Sequence, residues 1–326
     1  MRIGLMAAVL GVAGCVAGGV GLGGAETDGT NAALVYYRAW ATMDQELHLG
    51  LISDDDEFAV SDDGAERLAA EQESIARLLE ATRAGDVDWG IAYEKGFGAL
   101  MPHLNTMRSS SRVLQADALR LMEAGDSAGA AERLGALYRM SDDVVGGRVL
   151  ISSLVGMAIG NLGTKTIGHF VDGGDWTAAD ARVLLEAIGE GDDADRYRIR
   201  DAIVGEYRLM SEFIVANAPA EEPGRWLMEQ TMFAEEPPAA KRVLVMSREE
   251  LLRELGGFAA YHGELLAAWD AQDADLMDAC EERLVAGEFG ALSELLAPSV
   301  TRAYASHVRA KAELDALIER LEEIAG

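Results

Sequence analysis

Apolar residues recur along most of this chain at steps of three and four, the spacing that lines one side of an α-helix. From Ala65 to Ala84 they fall at Leu68, Ile75, Leu78 and Leu79, with charged residues between. These stretches are separated by a repeated mark, a glycine followed by an acid. It occurs at Gly85-Asp86, Gly125-Asp126, Gly174-Asp175, Gly191-Asp192 and Gly287-Glu288. Glycine accepts the left-handed conformation that closes a helix, and an acid can cap the donors that open the next. The pattern predicts helices over 31–49, 64–84, 98–124, 127–141, 147–171, 177–189, 193–217, 239–270, 273–286 and 298–325. Strand-like alternation is nowhere convincing. The expectation is an all-α chain with helix over roughly 65–75% of its residues, about twice the globular average. The marks are unevenly spaced, so no fixed repeat period exists. The architecture this predicts is an irregular stack of antiparallel helical hairpins, solenoid-like and without a sheet.

Two predicted helices carry packing devices. Gly156, Gly160, Thr164 and Gly168 form a small-residue stripe on an otherwise apolar helix, which predicts close approach by a neighbour and a central position. In the last helix Ala303, His307, Ala310, Leu314, Leu317, Leu321 and Ile324 alternate at four and three, a heptad seam. It is expected to fold back onto the body; pairing with a second copy is the alternative. Four of the six prolines lie between Ala218 and Ala240. This divides the chain into an export segment (1–25), an N-terminal helical array (26–217), a Pro-rich connector (218–238) and C-terminal hairpins (239–326). Trp226, Leu227, Met228 and Phe233 suggest that the connector docks as a short helix.

Composition narrows the function classes. Hydrophobic residues make up 49% of the 326 and aromatics only 6%, which suits helices packed through Leu, Ala and Met. A formal charge of −28 repels phosphate backbones and anionic headgroups, so no nucleic acid is expected as a partner. Spread acidity of this kind keeps a surface soluble; a cationic partner or loosely held divalent cations are the sharper readings. Of the two cysteines, Cys15 lies in the export segment, and Cys280 reads as a small core residue beside Glu281 and Glu282.

The first residues resemble an export signal. Met1-Arg2 is a short positive start and Ile3 to Leu10 an apolar run. Val12-Ala13-Gly14-Cys15 resembles a bacterial lipobox, which would make Cys15 the acylated first residue. Alternatively Ile3 to Leu22 is one long apolar region, cleaved after Gly23 and Ala25 or retained as an anchor. All three readings place the rest of the chain outside the cytoplasm, secreted, periplasmic or lipid-anchored. A membrane is expected as a partner only through this segment. The most apolar later stretch, Val149 to Gly163, is broken by Ser152, Ser153 and Asn161 and falls short of the roughly 18 residues of a span.

Chemical motifs are few. The histidines, His48, His103, His169, His262 and His307, stand in neither Glu-x-x-His nor His-Glu-x-x-His, so the di-iron bundle and helical zinc-protease patterns are missing. Gly160-Asn161-Leu162-Gly163-Thr164-Lys165-Thr166 lacks the spacing of a phosphate loop and falls within a helix. Asp54-Asp55-Asp56-Glu57 with Asp62-Asp63 lacks the alternation and turn glycine of a calcium loop and reads as a solvated acidic loop. No metal or cofactor is expected.

Asp88-Trp89-Gly90-Ile91-Ala92-Tyr93-Glu94-Lys95-Gly96, then Leu100-Met101-Pro102-His103-Leu104, with Asn31-Ala32-Ala33-Leu34-Val35-Tyr36-Tyr37 upstream, resembles a family of uncharacterised exported bacterial helical proteins. The likeness covers about residues 31–170 and implies an all-helical fold without an assigned activity. Ala118, Leu121, Gly125, Ala130, Leu134 and Leu137 are also similar to one tetratricopeptide hairpin, with Asp117 where a large apolar residue is expected.

The candidate binding loop is therefore Trp89, Tyr93, His103 and Arg108, since loops held by a rigid scaffold concentrate binding residues. The competing reading has Trp89 and Tyr93 plugging a hairpin while His103 and Arg108 satisfy carbonyls at the turn. The function expected is a scaffold for a protein or peptide partner. A hydrolase-type enzyme without a local motif and a structural envelope protein are the alternatives.

Overall fold

The computed structural model describes residues 31–146, 149–189, 195–231 and 238–326. Helix takes 76% of these residues, and among them no strand occurs. One isolated antiparallel bridge joins Ile52 to Val60. The chain is all-α, as its periodicity predicts.

The N-terminal helices are α1 (Ala32–Thr42), α2 (Asp62–Ala70), α3 (Gln72–Ala81), α4 (His103–Glu123), α5 (Ser127–Val145), α6 (Leu150–Gly173) and α7 (Ala178–Gly189), with a 3₁₀ turn at Tyr93–Gly98. There follow α8 (Ile199–Asn217), α9 (Pro223–Thr231), α10 (Pro238–Leu244), α11 (Arg248–Asp270), α12 (Ala274–Val285), α13 (Gly290–Leu296) and α14 (Thr301–Ala325). Consecutive pairs pack on each other: α4 on α5, α5 on α6, α11 on α12. The connector docks as expected, with α9 burying Leu227. Phe233 lies outside the described residues.

Two predicted helices are divided in the structure and a third is shortened. The one at 64–84 breaks at Glu71, whose backbone N–H still bonds Arg67 and Leu68 while it caps the next helix. The one at 239–270 breaks at Ser247, which forms a reciprocal capping box with Glu250 and starts α11. The first ends at Thr42 rather than residue 49, where the chain turns extended at Met43.

The glycine marks act mainly as helix stops. Gly125 has φ +79°, and the amides of Gly125 and Asp126 return to Met122 and Leu121 carbonyls. Asp126 then caps α5 through the amide of Gly129. At Gly174 and Gly287 the glycine closes its helix in the same way, but the acid beside it caps nothing: Thr177 and Asp180 bond each other at the start of α7. Gly191-Asp192 lies outside the described residues.

The stripe on α6 does admit neighbours. Gly156 faces the Ser141 carbonyl, Gly160 the Tyr197 hydroxyl, and Thr164 bonds the Tyr138 hydroxyl at 2.9 Å. Gly168 faces open space, and Gly163 takes its place against the Tyr138 ring. The last helix folds back within the chain. Its Leu314, Leu317 and Leu321 complete a core built from α1 to α7, while Tyr304 and Ala310 join a second core with Tyr197, Tyr261 and Trp269. A third core gathers Ile214, Leu227, Val243, Phe258 and Leu292. Among the described residues no helix is long and apolar enough to cross a membrane.

Asp117 shows why the tetratricopeptide pattern fails at its position. Its carboxylate is fully buried and receives Arg120 at 2.7 and 2.9 Å, Arg133 at 3.0 Å and Gln72 at 3.0 Å. A charge removed from water needs such partners, and a large apolar residue would leave both guanidinium groups behind.

Candidate functional site

Trp89 lies in the extended chain between α3 and the 3₁₀ turn and packs against the first core. Its ring is parallel to Trp40 at 5.9 Å and to His103 at 4.4 Å, with Tyr36 tilted at 5.5 Å and Tyr37 edge-on at 6.1 Å. The indole N–H donates to the Asp143 carbonyl at 3.0 Å, and that of Trp40 to Ser110 at 2.9 Å. The buried Tyr36 hydroxyl donates to the Asp143 carboxylate at 2.6 Å. Tyr36 and Trp40 stand four apart on α1 and so share the face that receives Trp89.

The predicted site residues separate here. Trp89 and His103 belong to one stack. Tyr93 opens the 3₁₀ turn, half-buried, outside the rings packed on Trp89. Arg108 is exposed on α4 and gives only its backbone carbonyl, to Ser111. His103 satisfies no carbonyl: it is 2% exposed, its Nδ1 has no hydrogen-bond partner, and burial pushes its pKa down to about 4. Sequence reading missed Asp143, Tyr36, Trp40 and Ser110. The i, i+4 pair on α1 was a usable signal; Asp143 is brought in from 107 positions after Tyr36.

Ser141, Asp142 and Asp143 make a junction at the end of α5. Ser141 bonds the Gly156 carbonyl at 2.8 Å, and Asp142 pairs with the buried Arg196 at 2.9 Å. Burial pushes the Asp143 carboxyl up to about 7; the Tyr36 bond opposes that shift, and the neighbouring Asp142 adds to it. Asp143 can therefore exchange a proton near neutrality, but its carboxylate bonds an internal phenol.

Cys280 is a buried core thiol as expected, raised to about 11 by desolvation. The acids at 54–57, 62 and 63 are exposed, and among the described residues no three or more metal-ligating side chains gather. Gly160 to Thr166 lies within α6, as the rejected phosphate loop required. Cys15 lies outside the described residues.

An open cleft occupies a different place, between the C-terminal end of α10, α11 and the turn entering α13. It holds about 520 Å3. It is lined by Glu250, Arg253, Glu254 and Gly257 of α11, by Arg242, Val245 and Met246 at and after the end of α10, and by Glu288, Phe289 and Gly290 at the start of α13. Gly257 lets the Phe289 carbonyl approach where a Cβ would collide. Glu254 accepts the amide of Leu292 at 3.0 Å and so holds the start of α13. Val245 is 83% exposed, the most exposed large apolar side chain described.

Comparison of the chain with protein-family models, curated proteins and solved structures finds no match.

Proposed function

We propose that the protein is an extracytoplasmic helical scaffold that holds a segment of another protein, with the cleft between α10, α11 and α13 as its seat. The observation that carries this reading is the contrast between that cleft and the aromatic stack. The cleft is open and leaves Val245 facing water, whereas Trp89 and His103 are spent on internal packing. Its volume falls within the roughly 300–1,000 Å3 of ligand clefts. The resemblance of residues 31–170 to exported helical proteins, and the apolar run after Arg2, support the extracytoplasmic address. The mature chain then starts at Cys15 with lipid, or near residue 26 without it, and an intact mass of native protein distinguishes these.

The test is photo-crosslinking in the native cell, with a photoreactive amino acid at position 245 and, separately, at Tyr93. A protein adduct from position 245 is expected. Adducts from neither position overturn the scaffold reading, and adducts from position 93 alone move the seat to the aromatic loop. Asp143 favours a second reading, a hydrolase using that carboxyl as its acid. Loss of an identified activity in Asp143→Asn, without loss of fold, would establish it.

A further inference from the structure

We propose that the segment seated in this cleft is cationic and amphipathic, a short stretch in which Lys or Arg alternates with large apolar side chains. The inference rests on the scaffold reading above and names its partner class.

Three observations converge. First, the cleft offers both kinds of contact. Val245, Met246 and Phe289 line it together with Glu250, Glu254 and Glu288, of which Glu250 also caps α11 through Ser247 and Glu254 also accepts the Leu292 amide. Second, the two arginines in the lining already have carboxylate partners. Arg242 pairs with Glu294, and Arg253 with Glu249 at 3.1 Å. Glu288 is matched by Arg283 at 2.8 Å, and that guanidinium also pairs with Glu264 and lies over the Phe289 ring at 4.8 Å. Counted with these partners, carboxylates outnumber guanidiniums around the cleft, so its residual field is negative. Third, the whole chain carries −28. A field of that sign raises the encounter rate of a cation and repels an anion over distances beyond contact.

The two kinds of contact have different tasks. Apolar side chains of the ligand cover Val245 and Met246, removing from water surface that the fold leaves exposed. The cations set which segments enter, because a like charge placed against Glu288 or Glu254 is strongly unfavourable. A purely polar basic tail would have the steering without the seat, and a neutral apolar one the seat without the steering.

The test uses the full chain and two fluorescein-labelled peptides, one alternating Lys with Leu and one alternating Glu with Leu, read by fluorescence anisotropy. The Lys/Leu peptide is expected to bind, more weakly as salt rises. Glu288→Lys should weaken it about tenfold, since a like charge then faces the ligand. Val245→Ser should weaken it severalfold without changing the melting temperature. Asp55→Lys, which alters net charge equally at the exposed acidic loop, should leave affinity within about twofold, because it lies outside the cleft. Equal weakening by Asp55→Lys and Glu288→Lys overturns the proposal, showing attraction to net charge alone. Preferential binding of the Glu/Leu peptide, sensitive to Val245→Ser, overturns the cationic partner but leaves the scaffold reading standing. Failure of both peptides to bind, with photo-crosslinks also missing at position 245, removes both.

Discussion

The stack around Trp89 and the cleft beside Val245 are built from similar materials, large apolar side chains set against titratable groups, and put to opposite uses. Around Trp89 the two indole N–H groups and the Tyr36 hydroxyl are turned inward and all donate to protein oxygens. Around Val245 the carboxylates stand at the edge of open space and the largest apolar exposure is left uncovered. Aromatic content by itself therefore does not tell packing from recognition. A Trp in a glycine-flanked loop attracts attention in sequence, but burial decides whether its ring is an anchor or a plug.

The sharpest way to break this comparison is Trp89→Ala. If the ring is a plug, removing it opens the stack and strands the Asp143 carbonyl, costing about 3 kcal/mol in chemical denaturation. A variant melting with the parent would return the aromatic loop to candidacy as the binding site.

A second test uses acid. Burial holds His103 and His262 at about 4, below their ordinary 6.5. Their contribution to stability is present above pH 6.5 and is lost as pH falls toward 4. Asp143 runs the other way: raised to about 7, it favours the folded state most below pH 4, and that contribution is lost as pH rises through 7. Between pH 8 and 5 it thus offsets part of the histidine loss. Asp143→Asn removes the offset, so unfolding free energies from urea titrations should fall more steeply over that range than in the parent, by about 2 kcal/mol. Parallel profiles would show that Asp143 titrates as an ordinary surface carboxyl.

Smaller effects sharpen the other side. Tyr93→Ala, half-buried outside the stack, should cost about 1 kcal/mol in the same unfolding assay. Val245→Ser should move thermal melting by no more than about 0.5 kcal/mol, the range of exposed substitutions. A larger loss would mean that Val245 is part of the fold and the cleft is no docking surface.

Much of the fold was legible because helix periodicity and glycine stops are local. Gly125-Asp126 could be read as a stop and a start from two adjacent letters, and both roles hold. Ser247 and Glu250 were equally legible as a capping box, and would have split the long helix expected at 239–270. The site was not legible in this way. Asp143 meets Tyr36 and Trp89 only after α1 and the 85–98 segment dock on α5. The cleft needs α10, α11 and the α13 turn brought together, and no three-residue spacing encodes that. Asp117 marks the boundary between the two cases. Its mismatch with a hairpin pattern was visible, but the two arginines that explain it came from the structure.

The return of α14 gives the chain a particular order of assembly. Leu314, Leu317 and Leu321 fill a core whose first member is Ala32, Arg320 pairs with Asp172, and Arg182 bonds the carbonyl of Ala325 at 2.6 Å. During synthesis the N-terminal helices therefore emerge well before the helix that seals them. Until residues 301–325 are released, the apolar faces of α6 and α7 stay wet, and closing them requires contacts between residues 143 and 148 positions apart, a slow step for a folding polypeptide. Removing residues 314–326 would consequently leave the N-terminal core unfinished, although more than two hundred positions of chain separate that cut from α1.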